Sequence, residues 1–316
     1  MLNRRHLRVK VLQSLYAYHQ TGAGNLKQQE KNLLSSIDEV YEMYIWMLSL
    51  ISEVVGYADT DATDRAHKHL PTADDLNANL KLLTNRFTLS LNQNKEFLAG
   101  LKKYKVEWNF EPELVKTLFT NLKNAPEYAE YLAKTGDNIQ TDKDIIKFIF
   151  KKVILKSSLA DQVFEEKFIF WPVDKDVLQA LIAKTFKNFA FDDEPEKNKL
   201  AEVTGNWEED KEFIVKLLET SVRYDGDYQQ LIGAKTQNWE PERIAMMDTL
   251  LMKMAIAEFI NFGSIPVKVT INEYLEISKE FSTPKSNSFI NGILDKILFE
   301  LKAEKKINKI GRGLIE

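Results

Sequence analysis

Apolar residues recur along most of this chain with the 3.6-residue period of α-helices. A first helix is predicted over residues 3–20 from one apolar stripe, formed by Leu7, Val11, Leu12, Leu15 and Tyr18. One or two helices are predicted over 26–56, and further helices over 76–104, 111–123, 141–170 and 208–232. The polar stretch 57–75 and the acidic run 192–197 are predicted to be surface connections. The pattern therefore predicts an all-α protein.

The C-terminal third carries three helix signals in close succession. After Pro241, which suits a first helical position, residues 244–259 are apolar on nearly every side, so this helix is predicted to be central and buried. Thr270 and Glu273 have the spacing of a capping box, which predicts the start of the next helix. Pro284 marks the first turn of the last one.

Two features inside these helices need an explanation. Asn291-Gly292 is a strong hairpin signal, but the helical period runs through it, so we place it inside the last helix. Close approach of a neighbouring backbone is expected to compensate for the glycine. Asp248 and Glu258 lie about 15 Å apart along the buried helix, too far to cooperate in catalysis, and are interpreted as satisfied structural carboxylates.

An internal repeat is a further hypothesis. Asp142-Lys143 precedes Trp171 by the same 29 residues that separate Asp210-Lys211 from Trp239. The middle of the chain is therefore either a degenerate second copy or matches by coincidence in a helix-rich sequence.

The composition excludes several kinds of protein and of functional site. The 316 residues are 44% apolar and include only 12 Gly and 8 Pro, as expected of a globular protein with long secondary-structure elements. There is no Cys and there are only four His, and no nucleotide-binding, hydrolase or metalloprotease signature is present, so no catalytic residue, metal or cofactor is expected. No targeting or membrane-spanning segment is predicted, which leaves the cytoplasm as the default location.

Charge is unevenly distributed. The net charge of −4 gives no support to nucleic-acid binding. Residues 1–10, however, carry four cations and no acid, namely Arg4, Arg5, Arg8 and Lys10. The C-terminal end is also basic, with Lys305, Lys306 and Lys309.

The two ends of the chain resemble the NusB family of bacterial transcription antitermination factors. At the N-terminus, Arg4, Arg5 and Arg8 followed by Gln13 and the pair Leu15-Tyr16 match the opening helix of that family. The matching C-terminal segments are 243–258, 265–273 and 289–295. The chain departs from the family pattern at Leu7, Val9, Met252-Lys253 and Thr283-Pro284-Lys285, and it is more than twice as long as a typical member.

The resemblance implies a NusB-like helical bundle with an additional helical domain. Residues 1–25 and 205–316 would form the RNA-binding core, and 26–204 an additional all-helical segment, although 26–56 also loosely resembles the family. It further implies binding of boxA-type single-stranded RNA of ribosomal RNA leaders, pairing with the ribosomal protein NusE, and action on RNA polymerase in the antitermination complex.

The residues themselves agree with RNA contact. Arg4, Arg5 and Arg8 lie off the apolar stripe, and Lys10 extends the patch; guanidinium groups pair with phosphates and stack on bases. A solvated basic N-terminus is the alternative for these residues. For the protein, the alternatives are a helical adaptor that has lost RNA binding and, less favoured because no Gly-rich cofactor loop is present, an RNA-modifying enzyme.

Overall fold

The computed structural model describes residues 1–21, 25–135, 139–190, 194–236 and 244–314. Within these ranges every regular element is helical, which confirms the predicted all-α class. The α-helices are α1 (Arg4–Gln20), α2 (Leu26–Ala66), α3 (Ala73–Leu76), α4 (Arg86–Gln93), α5 (Lys95–Tyr104), α6 (Pro112–Lys123), α7 (Pro126–Ala133), α8 (Ile139–Phe148), α9 (Ser158–Lys167), α10 (Trp171–Asn188), α11 (Trp207–Arg223), α12 (Asp225–Lys235), α13 (Met246–Asn261), α14 (Val267–Phe281) and α15 (Ser286–Ala303). Short 3₁₀ turns occur at Lys81–Thr84, Pro195–Lys197 and Gly311–Leu314. The predicted roles of Pro241 and of Trp239 fall outside the described residues.

The chain forms two compact units. The middle unit comprises Met1 and residues 38–203, and the terminal unit comprises residues 2–37 and 204–316. Residues 26–37 therefore pack with the two ends of the chain, whereas the resemblance grouped them with the middle segment. The middle unit holds 28 acidic and 22 basic residues, and the rest of the chain holds 19 acidic and 21 basic ones. The negative net charge thus belongs to the middle unit.

Helix α2 is longer than its sequence pattern predicts. It continues past Gly56 to Ala66, so the predicted surface connection over 57–75 is wrong for its first half. The extension packs on α6: the Tyr57 ring lies 5.5 Å from that of Phe119, and Asp61 pairs with Lys123 at 2.8 Å. Tertiary contacts therefore override the local polarity of this stretch. No helix in the described ranges is both long and apolar enough to cross a membrane.

The middle unit also departs from prediction over residues 141–170. One continuous helical pattern is divided into α8, a π-helical turn at Ile149–Ile154, and α9, whose first turn is capped by the Ser157 hydroxyl. Aromatic side chains fill the core beside α9, where the rings of Phe164 and Trp171 lie 4.6 Å apart. The side chain of Tyr44 is buried, and its hydroxyl accepts a hydrogen bond from the Ala201 N–H at 2.9 Å.

Helix α13 is the centre of the terminal unit. Every residue from Leu250 to Phe259 is buried, which confirms the prediction of a central helix. Helices α1, α11, α12, α14 and α15 all pack against it. Because α13 is surrounded, any charged side chain on it must find its partner inside the protein.

Gly292 lies within α15 as predicted, but the expected close approach of another backbone is wrong. A Cβ atom added at this exposed glycine would meet nothing within 4 Å. Gly100, in the middle of α5, is the contrasting case. A Cβ there would lie 2.8 Å from Cδ1 of the fully buried Ile45.

These two glycines predict opposite effects of the same substitution. Gly292→Ala should raise the free energy of unfolding by about 1 kcal/mol, since alanine is the better helix former and nothing obstructs it. Gly100→Ala should lower it by about 1–3 kcal/mol through overpacking against Ile45. Urea unfolding followed by circular dichroism measures both; a destabilised Gly292→Ala variant would contradict the open environment described here.

Candidate nucleic-acid interface

An open cleft of about 930 Å³ lies in the terminal unit beside the first turn of α1. Its walls come from α1, α11, the turn between α13 and α14, α14 itself, and the C-terminal residues 304–314, called the tail below. The cleft brings two of the predicted cations, Arg4 and Arg5, together with Lys216 and the aromatic ring of Phe213. Sequence reasoning missed Lys216 and Phe213, because both belong to a helix more than 200 residues further along the chain.

Arg4 stands at the rim of this cleft with its side chain 34% exposed. Its Nη2 lies 2.5 Å from Oε1 of Glu209 and 3.5 Å from Oδ1 of Asp210. The guanidinium also stacks over the Phe213 ring, 4.5 Å from its centroid. Burial raises the pKa of Asp210, and the nearby Arg4 opposes that shift. Arg4 is thus oriented by a ring, by the exposed Glu209 and by the buried Asp210, while part of it faces solvent.

Arg5 is held more firmly but is equally accessible. Its Nε and Nη2 donate to the two carboxylate oxygens of Glu273 at 3.0 and 2.9 Å, while its side chain remains 41% exposed. This two-pronged geometry is the one that guanidinium also adopts with phosphate. Glu273 therefore satisfies two of the donors of the Arg5 guanidinium in this structure.

Arg8 has a different role. The sequence placed it on the polar face of α1, but its side chain is only 2% exposed and its partner, Glu258 on α13, is fully buried. Arg8 donates from Nε and Nη2 to the Glu258 carboxylate at 2.8 and 2.7 Å. The predicted placement is thus wrong, because the buried acid on α13 needs a cation and α1 supplies it.

The Glu258 carboxylate accepts two further hydrogen bonds. The Thr270 hydroxyl donates to it at 2.7 Å and the Tyr274 hydroxyl at 3.2 Å. Burial raises the pKa of Tyr274, which keeps its hydroxyl a donor. Burial disfavours the charge on Arg8, but hydrogen bonding to Glu258 outweighs it and the pKa of Arg8 is raised. The interpretation of Glu258 as a satisfied structural carboxylate is confirmed.

The predicted capping box is wrong. Helix α14 begins at Val267, directly after Pro266, so Thr270 is already inside the helix. Its hydroxyl donates to Glu258, and the carboxylate of Glu273 accepts from Arg5 instead of capping the helix N-terminus. The side chains thus follow the tertiary charges and not the local spacing.

The other polar and aromatic residues of α1, and Asp248 of α13, differ in burial. Lys10 is 1% exposed and interacts within the protein, so it does not extend an exposed patch. Tyr16 is 38% exposed, and Tyr18 is half-buried. Asp248 accepts hydrogen bonds from the hydroxyls of Ser282 and Ser286 at 2.5 and 2.8 Å, which confirms its structural role.

The terminal unit is thus a helical bundle in which an N-terminal arginine helix is docked on a buried central helix beside an open cleft. Comparison with protein families identifies this class further. The model described as the NusB family matches residues 175–299. The transcription antitermination protein NusB of Koribacter versatilis is 39% identical over 114 residues, which cover 36% of this chain and 78% of that protein. The chain belongs to the NusB family.

Two other relatives are covered less completely. The proteins of the same name from Chloroherpeton thalassium and Salinibacter ruber are 42% and 38% identical over 106 and 105 residues. The matched part is 34% and 33% of this chain, and it spans half of the first protein and 66% of the second. No solved structure matches the chain significantly. The family match begins at residue 175, earlier than the boundary predicted at residue 205, and it does not include α1. The interpretation of the arginine motif on α1 is therefore supported by its own residues and contacts and not by the family match.

The burial of Arg8 predicts an asymmetry between two arginines of one helix. Arg8→Met should lower the free energy of unfolding by about 3–5 kcal/mol, because it leaves the buried Glu258 without its cation. Arg4→Met removes an exposed ion pair and should change it by less than about 1 kcal/mol. Equal effects of the two substitutions in urea unfolding would contradict the structural role of Arg8.

Proposed function

We propose that this protein is a transcription antitermination factor that binds boxA-type single-stranded RNA of ribosomal RNA leaders together with NusE. In the cytoplasm it would support RNA polymerase in reading through termination signals. Family membership and the names of the three relatives support this role. Within the structure, the proposal is carried by the accessible guanidinium groups of Arg4 and Arg5 at one open cleft.

The ion pairs of these arginines leave room for phosphate. Arg4 and Arg5 are paired with carboxylates but remain 34% and 41% exposed. The Arg4–Glu209 pair is exposed, and such pairs contribute only about 0–1 kcal/mol, so an RNA phosphate can replace Glu209 with little loss. At Arg5, a phosphate would take over the two-pronged geometry of the part-buried pair with Glu273. Arg8 and Lys10, in contrast, are buried, and we assign them to holding α1 in place and not to RNA contact.

The charge of the terminal unit agrees with this assignment. Its small excess of basic residues contrasts with the acidic middle unit, so the acidic composition of the whole chain does not argue against RNA at the cleft. Electrostatic attraction of a polyanion depends on the local field at the binding surface.

A helical adaptor that has lost RNA binding is the second candidate. It is favoured by the acids themselves, since each accessible arginine of the cleft already has a carboxylate partner. The exposed Thr283-Pro284-Lys285 segment, which departs from the family pattern, would then contact a protein partner.

The proposal is tested by fluorescence anisotropy of labelled boxA RNA and a scrambled RNA, with and without NusE, across a salt series. The Arg4→Ala/Arg5→Ala variant should bind boxA RNA at least about tenfold more weakly, because two charge-assisted contacts are lost. Its slope of log affinity against log salt should become shallower by about 1.4, two contacts at roughly 0.7 each.

The matched control is Lys95→Ala/Lys102→Ala, which removes two exposed cations from α5 of the middle unit. This control should bind like the wild type. Equal losses in both variants would indicate a non-specific charge effect, and binding of NusE without any boxA preference would favour the adaptor.

A further inference from the structure

The tail lies beyond the segment matched by the family, which ends at residue 299. Helix α15 stops at Ala303, and Lys305 adopts a left-handed conformation with φ of 55°. The Lys306 N–H then donates back to the Leu301 carbonyl at 2.9 Å, a helix-ending turn. The chain is thereby redirected toward the end of α13.

Lys309 anchors the tail to α13. Its Nζ donates to the carbonyl of Phe262 at 2.9 Å and to that of Glu258 at 3.3 Å. These carbonyls lie at the C-terminal end of α13, where the helix dipole favours a cation. Each also accepts a backbone N–H, Glu258 from Phe262 and Phe262 from Ile265, both at 3.2 Å. Burial lowers the pKa of Lys309. Its ammonium group is thus committed to the protein and not offered to a ligand.

Backbone contacts fix the next residues. The Ile310 N–H donates to the Gly263 carbonyl at 3.0 Å. A Cβ atom added at Gly263 would lie only 3.0 Å from the Asn308 carbonyl oxygen and 3.1 Å from Cγ1 of Ile310. The tail therefore rests directly on the turn between α13 and α14.

This seating brings Ile310 into the cleft that Arg4 and Arg5 line. Ile310 is 66% exposed, so apolar surface of this residue is accessible to a ligand in the cleft. The cleft retains its volume of about 930 Å³ with the tail in place, within the range of ligand-binding pockets. The tail consequently forms a wall of the cleft and does not fill it.

We propose that the tail is part of the RNA-binding site, with Ile310 packing against an unstacked base of the RNA whose phosphates contact Arg4 and Arg5. This inference rests on the function proposed above. Recognition of single-stranded RNA uses splayed bases together with phosphate contacts, and an exposed apolar side chain beside two guanidinium groups supplies the surface for the base. Covering Ile310 also removes apolar area from water.

The tail offers a matched pair of variants. Ile310→Ser should weaken boxA RNA binding by about fivefold, at the lower end of losses for base-stacking residues because isoleucine is not aromatic. Ile310→Leu keeps an apolar side chain at this position and should bind like the wild type. Leu314→Ser alters a residue of the same 66% exposure that does not line the cleft, and it should bind like the wild type.

Lys309→Met tests the anchor separately. Loss of the anchor should speed hydrogen exchange of the Ile310 amide and weaken RNA binding, while the salt slope stays that of the wild type, since Lys309 contacts carbonyls and not phosphate. A slope shallower by about 0.7 would instead make Lys309 a phosphate contact and overturn the anchor.

The outcomes separate the inference from the function beneath it. If the wild type does not prefer boxA RNA, the proposed function fails. If the wild type binds and the Arg4→Ala/Arg5→Ala variant does not, while Ile310→Ser binds like the wild type, only the role of the tail is overturned. Tighter binding by Ile310→Ser would also overturn it, because the tail would then obstruct the cleft.

Discussion

The buried ion pair between Arg8 and Glu258 determines where the N-terminal helix lies. A carboxylate enclosed on all sides by α13 and its neighbours is tolerated only with a cation and further donors, and Arg8, Thr270 and Tyr274 provide them. Because Arg8 and the apolar stripe of α1 are both buried in the bundle, the residues one turn earlier on that helix lie at the cleft. Arg4 and Arg5 therefore stand directly before a buried charge on the same helix.

The same end of α13 organises the other walls of the cleft. The side chain of Glu258 accepts hydrogen bonds from Arg8 of α1 and Thr270 of α14, and its backbone carbonyl accepts one from Lys309 of the tail. The turn after α13 carries Gly263, against which the tail lies. A substitution of Glu258 would therefore remove contacts of α1, α14 and the tail together. This shared dependence makes the cleft one structural unit, although some of its residues are more than 300 positions apart in sequence.

Local patterns predicted the elements well and their partners poorly. Periodicity was sufficient for the all-α class and for the central position of α13, because burial on every side is visible in the sequence of that helix. It could not show that Arg8 pairs with a residue 250 positions away, nor that Glu273 pairs with Arg5, since neither contact has a fixed spacing. Similarly, helix α2 does not end at Gly56 as predicted, because Tyr57 packs on Phe119 and the helix continues.

The arginine motif shows why residue type alone overestimates the accessible charge of a helix. Four cations occur within seven residues, but Arg8 and Lys10 are buried and Arg4 and Arg5 are partly exposed, so the motif is divided between holding the helix and facing the cleft. Whole-chain charge also hides a difference, since the acidic middle unit masks the balance of the terminal one. Both totals average over residues whose environments differ. The exposure of each guanidinium, and not their number, determines how many of them face the cleft.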